Sequence, residues 1–81
     1  SKVERGIKIN GLQNHQFPAS KVLHVAYHGN YNNLGLAHAA IEKYMIAKGL
    51  RYRIIVEEYV TDPMTQKDTA QWLTNVYYLV Q

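Results

Sequence analysis

From Lys21 onward the hydropathy period of the chain changes twice. Val22 to Tyr27 sets β-branched and apolar residues around His24, as a strand does, and Gly29 with asparagines at 30, 32 and 33 breaks it. Leu34, Ala37, Ile41, Tyr44 and Met45 then recur at spacings of three and four, one stripe of a helix over about 33–48. Asn32 or Asn33 is placed to cap its start through a side-chain oxygen, and Gly49 stands where a left-handed C-terminal cap is wanted. At Tyr52 the period falls to two. Tyr52, Ile54, Val56, Glu58 and Val60 make one face, and Arg53, Ile55, Glu57 and Tyr59 the other, until Thr61, Asp62 and Pro63 end the strand. Residues 64–71 are polar, with one helical turn predicted within 67–72. In the last strand Thr74, Val76, Tyr78 and Val80 alternate with Leu73, Asn75, Tyr77 and Leu79. Ahead of all this, 6–17 is weakly patterned, with a short strand over 7–9 and Pro18 closing it.

This order predicts an α+β domain: one long helix packed on an antiparallel sheet of three to four strands, built from 21–28, 52–60 and 73–80. It makes 1–81 a single module, with 1–17 an irregular or short-strand lead-in. Pairing the strand that enters the helix with a later one would bury Leu23, Val25, Ile54 and Val76 against Ile41 and Met45. A single helix covers a single sheet face. The other face, on this reading, carries Ile55, Tyr59, Tyr77 and Leu79 with Arg53, Glu57 and Asn75, a large apolar patch to leave bare. A twofold dimer, a second module from a longer chain, or the segment 1–17 folding back is expected to cover it.

Eighty-one residues make one small domain with a thin core. A hydrophobic content of 47% with seven tyrosines argues for a folded globule rather than a disordered tail. There is no cysteine, so disulfides and thiolate zinc sites are excluded, and a cytoplasmic location is expected. No apolar run reaches the roughly 20 residues of a membrane span, and no signal-peptide pattern opens the chain, whose first six residues read as a cut from a longer protein. The net charge is +3, but the basic residues are scattered apart from Lys48, Arg51 and Arg53, where a helix C-terminus favours cations anyway. Direct nucleic-acid binding, which needs a concentrated stripe, is not expected.

The strand-to-helix corner HGNYNNLG lacks the Gly-x-Gly or Gly-Lys-Ser/Thr of a phosphate cradle and reads as a turn. His24 and His28 lie about 13 Å apart on a strand, too far to share an ion. His38 has no second ligand at helical spacing and His15 lies in loop-like sequence, so neither metal nor cofactor is called for. The histidines read as solvated or edge-lying. With no Gly-x-Ser-x-Gly elbow and only Ser1 and Ser20, covalent catalysis lacks a nucleophile. Glu57 shares a face with Tyr59 and is the one group placed to act as acid, base or counter-ion: either a surface partner of Arg53 or a charge serving a ligand.

The run HGNYNNLGLAHAAIEKYMIAKGL, followed by EEYVTDP and TNVYYLV, resembles the GyrI-like effector-binding family, the sensor domains of AraC-type and MerR-type multidrug regulators and small gyrase inhibitors. Gly29 and Tyr31 stand in its Gly-Pro-Tyr turn, Leu34 follows, and Gly49 closes the helix. Glu58, Tyr59, Asp62 and Pro63 follow its Glu…Tyr…Asp-Pro strand end, and Val76, Tyr78 and Val80 its last strand. Over about 18–80 the chain matches one strand–helix–strand–strand module. Family members usually have two, with a ligand cleft between their sheets. The resemblance implies a non-catalytic effector-binding module for hydrophobic or cationic amphipathic compounds, within a transcription regulator, with Tyr31, Ile55, Glu57, Tyr59, Asn75 and Tyr77 as the ligand-binding residues. Asn75 stands where the family carries a pocket glutamate, which weighs against its hydrolase branch; Glu57 is the residue placed to replace that acid. The alternative is a protein-binding module resembling the gyrase inhibitors.

Overall fold

A computed structural model describes Ile9–Asn10 and residues 21–81. Strand β1 is Ile9–Asn10, β2 Lys21–His28, helix α1 Gly35–Lys48, β3 Tyr52–Tyr59 and β4 Leu73–Val80. All pairings are antiparallel and the sheet order is β1-β2-β4-β3, so β4 sits between the strands that flank the helix. The predicted strand over 7–9 falls at Ile9–Asn10, and the rest of the lead-in, with its expected folding back, lies outside the described residues. Single turns of 3₁₀ helix precede α1 (Tyr31–Asn33) and β4 (Thr69–Gln71), the second inside the turn predicted at 67–72.

The helix stripe is the one the spacing predicts. Leu34, Ala37, Ile41 and Met45 are buried, and with Leu23, Val25 and Tyr27 of β2 and Val76, Tyr78 and Val80 of β4 they form the main core. Gly49 takes the left-handed conformation at φ 68°, and the N–H of Leu50 bonds back to the Met45 carbonyl at 2.9 Å. The start differs from expectation. Because the 3₁₀ turn runs straight into α1, capping moves back to Asn30, whose side chain accepts from the Asn32 N–H at 2.8 Å. Helix α1 itself has no side-chain cap.

Gly29 is the point on which this corner depends. Its φ is 151°, its N–H bonds to the Trp72 carbonyl at 2.9 Å, and a Cβ there would sit 2.7 Å from the Tyr27 hydroxyl. That hydroxyl donates to the Asn30 carbonyl at 3.0 Å. Gly29, Tyr27 and Asn30 thus pack the corner tightly.

Strand β3 departs most from the sequence reading. Tyr52 pairs with Val80 but Ile54 with Leu79, so Arg53 is an extra residue, a β-bulge. Beyond it Ile55, Glu57 and Tyr59 pair with Tyr78, Val76 and Thr74, on the helix side of the sheet. Ile54, Val56 and Glu58 take the opposite side. The expectation that Ile54 packs under the helix while Ile55, Glu57 and Tyr59 line the far face is thus reversed, because one inserted residue inverts every later side chain.

The far face is not bare either. Val22, Tyr77 and Leu79 form a second buried cluster with Val56 against it, and Tyr77 and Leu79 are only 7% and 6% exposed within the single chain. A dimer driven by Tyr77 and Leu79 on an open face therefore loses its premise. Among the described residues, no helix is long and apolar enough to cross a membrane.

Candidate functional site

The six residues singled out from the sequence separate into two groups, one on each side of the sheet. On the helix side, at the end where α1 begins, the register brings Glu57 and Tyr59 of β3 next to Tyr31 of the 3₁₀ turn. The Tyr31 and Tyr59 rings meet edge-on with centroids 5.3 Å apart, and Trp72 lies against Tyr31 at 4.7 Å. The loop between β3 and β4 holds these rings in place. Asp62 turns the chain by accepting from the N–H groups of Met64, Thr65 and Gln66. The Trp72 indole then donates to the Gln66 carbonyl at 2.7 Å, and the Tyr31 hydroxyl to the Thr61 carbonyl at 3.2 Å. The Asp-Pro pair noticed in the sequence thus starts the loop that seats two of the three rings.

Glu57 is the polar centre of this group. One carboxylate oxygen accepts from the Tyr59 hydroxyl, and the other meets Nε2 of His38 on α1 at 2.6 Å. A carboxylate only accepts, so Nε2 carries the proton; Nδ1 of the same ring lies 2.7 Å from the Tyr78 hydroxyl. The Tyr59 hydrogen bond, joined by the proximity of His38, holds the Glu57 carboxyl below the usual carboxylate range against an opposing effect of partial burial. Glu57 in turn pushes the Tyr59 phenol up. Burial, then the charge of Glu42 and the neighbouring Tyr52, pushes Tyr78 up to about 12.

His38 and Tyr78 are the residues the sequence reading missed. His38 is only partly exposed, and it ties α1 to both β4 and β3. The signal available was its position one residue after Ala37, at the border of the apolar stripe, opposite a strand carrying acids. The expected Arg53 partner for Glu57 is replaced by His38, since the bulge moves Arg53 out of alternation with Glu57.

On the far side Asn75 and Tyr77 gather around the other acid. The Glu58 Oε1 accepts from Asn75 Nδ2 at 3.0 Å and from the Tyr77 hydroxyl at 3.2 Å. His24 stacks on Tyr77 with centroids 4.7 Å apart, and its Nε2 lies 2.8 Å from Asn75 Oδ1. Burial and Glu58 push the Tyr77 phenol up. Ile55 belongs to neither group; it is 39% exposed on the helix side of β3.

A cavity of about 460 Å³ opens at the other end of the helix, lined by Glu42, Met45, Ile46, Leu50, Arg51 and Tyr52. None of the six sequence-derived site residues lines it. Among the described residues no cluster of three metal-ligating side chains occurs. Compared with known protein families, with curated proteins and with solved structures, the chain finds no match.

Proposed function

We propose that this chain is a non-catalytic small-molecule binding module of the effector-sensor kind, serving a transcription regulator and taking hydrophobic or cationic amphipathic compounds. The surface assigned to the ligand is that of Tyr31, Glu57, Tyr59 and Trp72. The observation that carries this reading is the juxtaposition of a carboxylate held in its charged form with three aromatic rings, one of them, Tyr59, 56% exposed. Aromatic faces attract cations, and a neighbouring carboxylate adds to that attraction. The resemblance to GyrI-like modules supports the same ligand class. Asn75 and Tyr77 fit the role less well, because Tyr77 is buried and both are spent on Glu58.

Trp72 is the chain's single tryptophan and touches Tyr31, so it reports on this surface directly. Titration with the lipophilic cation tetraphenylphosphonium is expected to change Trp72 emission, with Glu57→Gln weakening the response severalfold. Tetraphenylborate, of the same shape and opposite charge, should produce no saturable change. An equal response to both ions, or NMR shifts confined to Asn75 and Tyr77, would overturn this assignment.

A further inference from the structure

His38 sits among acids and phenols from three elements. From β3, the Glu57 carboxylate meets its Nε2 at 2.6 Å, and Tyr59 donates to the other oxygen of that carboxylate. Tyr31 of the 3₁₀ turn packs edge-on against Tyr59. From β4, the Tyr78 hydroxyl lies 2.7 Å from His38 Nδ1. One turn further along α1, Glu42 stands within reach of the same hydroxyl, and Tyr52 meets the Tyr78 ring edge-on. Tyr78 is fully buried, but the His38 side chain is 22% exposed, so solvent can deliver a proton to it.

This setting accommodates the ring with one proton or with two. Neutral, it donates through Nε2 to Glu57 and accepts at Nδ1 from Tyr78. Doubly protonated, it donates from both nitrogens; the Tyr78 oxygen then accepts, and the phenol proton turns to Glu42. Both hydrogen bonds of the ring survive the exchange without a side chain having to move. What changes is the charge beside Glu57. A neutral imidazole leaves the carboxylate uncompensated, whereas an imidazolium cancels it from 2.6 Å. Histidine is the side chain whose charge changes near neutrality. Glu57, held below the usual carboxylate range, stays ionised there, and Tyr59 and Tyr78, pushed up, stay neutral.

We infer that His38 is a proton switch for the Glu57 surface: with a neutral ring the site takes its cationic ligand, and with a protonated ring it releases it. Proton and ligand cation compete for one carboxylate, so each weakens the binding of the other by the same factor. The inference rests on the reading of Glu57 as the ligand's charge partner and adds the regulation of that site.

Tetraphenylphosphonium keeps its charge at every pH, so the pH profile of its binding reports on the protein alone. Followed by Trp72 emission, its dissociation constant should rise roughly five- to tenfold between about pH 8 and pH 5, as one nearby charge is cancelled at a partly exposed site. His38→Gln, whose amide still donates to Glu57 but takes up no proton, should flatten that profile. In the wild type near pH 6, saturating tetraphenylphosphonium should move the His38 ring nitrogen resonances toward the neutral form, which a purely structural histidine would not do. Binding that is equally tight at both ends of the range would overturn the switch and leave the ligand surface standing. So would a fall in His38→Gln as large as in the wild type, or ring resonances that ignore the ligand. Absence of binding at every pH would overturn the ligand reading, and the switch with it.

Discussion

Glu57 and Glu58 are adjacent on β3, have the same side chain, and do different structural work. Glu57 points toward the helix and joins two layers, accepting from His38 of α1 and from Tyr59 of its own strand. Glu58 points the other way and stays within the sheet, accepting from Asn75 and Tyr77 of the neighbouring strand. The difference extends to the clusters beneath them. Among the described residues the helix side has ten buried core residues and the far side three. An acid tied across layers resists the separation of helix from sheet, while an acid tied between neighbouring strands reinforces a ladder that backbone hydrogen bonds already hold.

The largest effect that tests this asymmetry comes from the cores. Ile41→Ala, at a fully buried position of the helix stripe, is expected to cost about 2–5 kcal/mol in chemical denaturation. Leu79→Ala should fall toward the bottom of that range, because among the described residues only Val22, Tyr77 and the partly buried Val56 cluster with it. Equal losses would mean that the far side is as much a core as the helix side.

The acids come next. Glu57→Ala should destabilise by roughly 1 kcal/mol, short of a fully buried charged hydrogen bond because both His38 and Glu57 are partly exposed. Glu58→Ala should stay within about 0.5 kcal/mol. The reverse order in urea titrations would dismiss the layer argument. Protons sharpen it further. Since the folded-state pKa of Glu57 is lowered, its stabilisation is present above the ordinary carboxylate range and lost as pH falls through the depressed value. Unfolding midpoints followed into acid should therefore drop more steeply for the wild type than for Glu57→Gln.

Tyr78 gives the alkaline counterpart. Its folded-state pKa is raised from 10.0 to about 12, so its contribution is complete below pH 10 and is lost as pH rises toward 12. Tyrosinate absorbance should show several phenols ionising late, Tyr27, Tyr59 and Tyr77 among them, and the amplitude near pH 12 should shrink in Tyr78→Phe, which should also lose less stability across this window. The smallest effect belongs to Thr74, whose hydroxyl is buried without a partner among the described residues. Thr74→Val keeps the shape and removes the orphan group, and should be neutral or stabilising by up to about 1 kcal/mol. A clear loss would point to a partner for that hydroxyl.

The sequence by itself determined the elements of this protein. The spacing of Leu34, Ala37, Ile41 and Met45 specifies both the helix and its buried face, because a 3.6-residue period leaves one stripe to bury. Gly49 marks where the helix stops, since the left-handed cap favours glycine. The alternation from Leu73 to Val80 gives β4 correctly on both faces, because a central strand is packed on both sides. Only the tertiary structure decided how β3 faces. It is an edge strand with Ile54 and Ile55 both half-exposed, so neither of its faces is apolar enough to declare itself, and the bulge at Arg53 inverts whatever alternation is read. The candidate site inherits that uncertainty of parity. Tyr31, Glu57 and Tyr59 were legible as residue types, but their partnership with Trp72 and His38, and their separation from Asn75 and Tyr77, follow from a register set by one extra residue and by where the helix lies across the sheet.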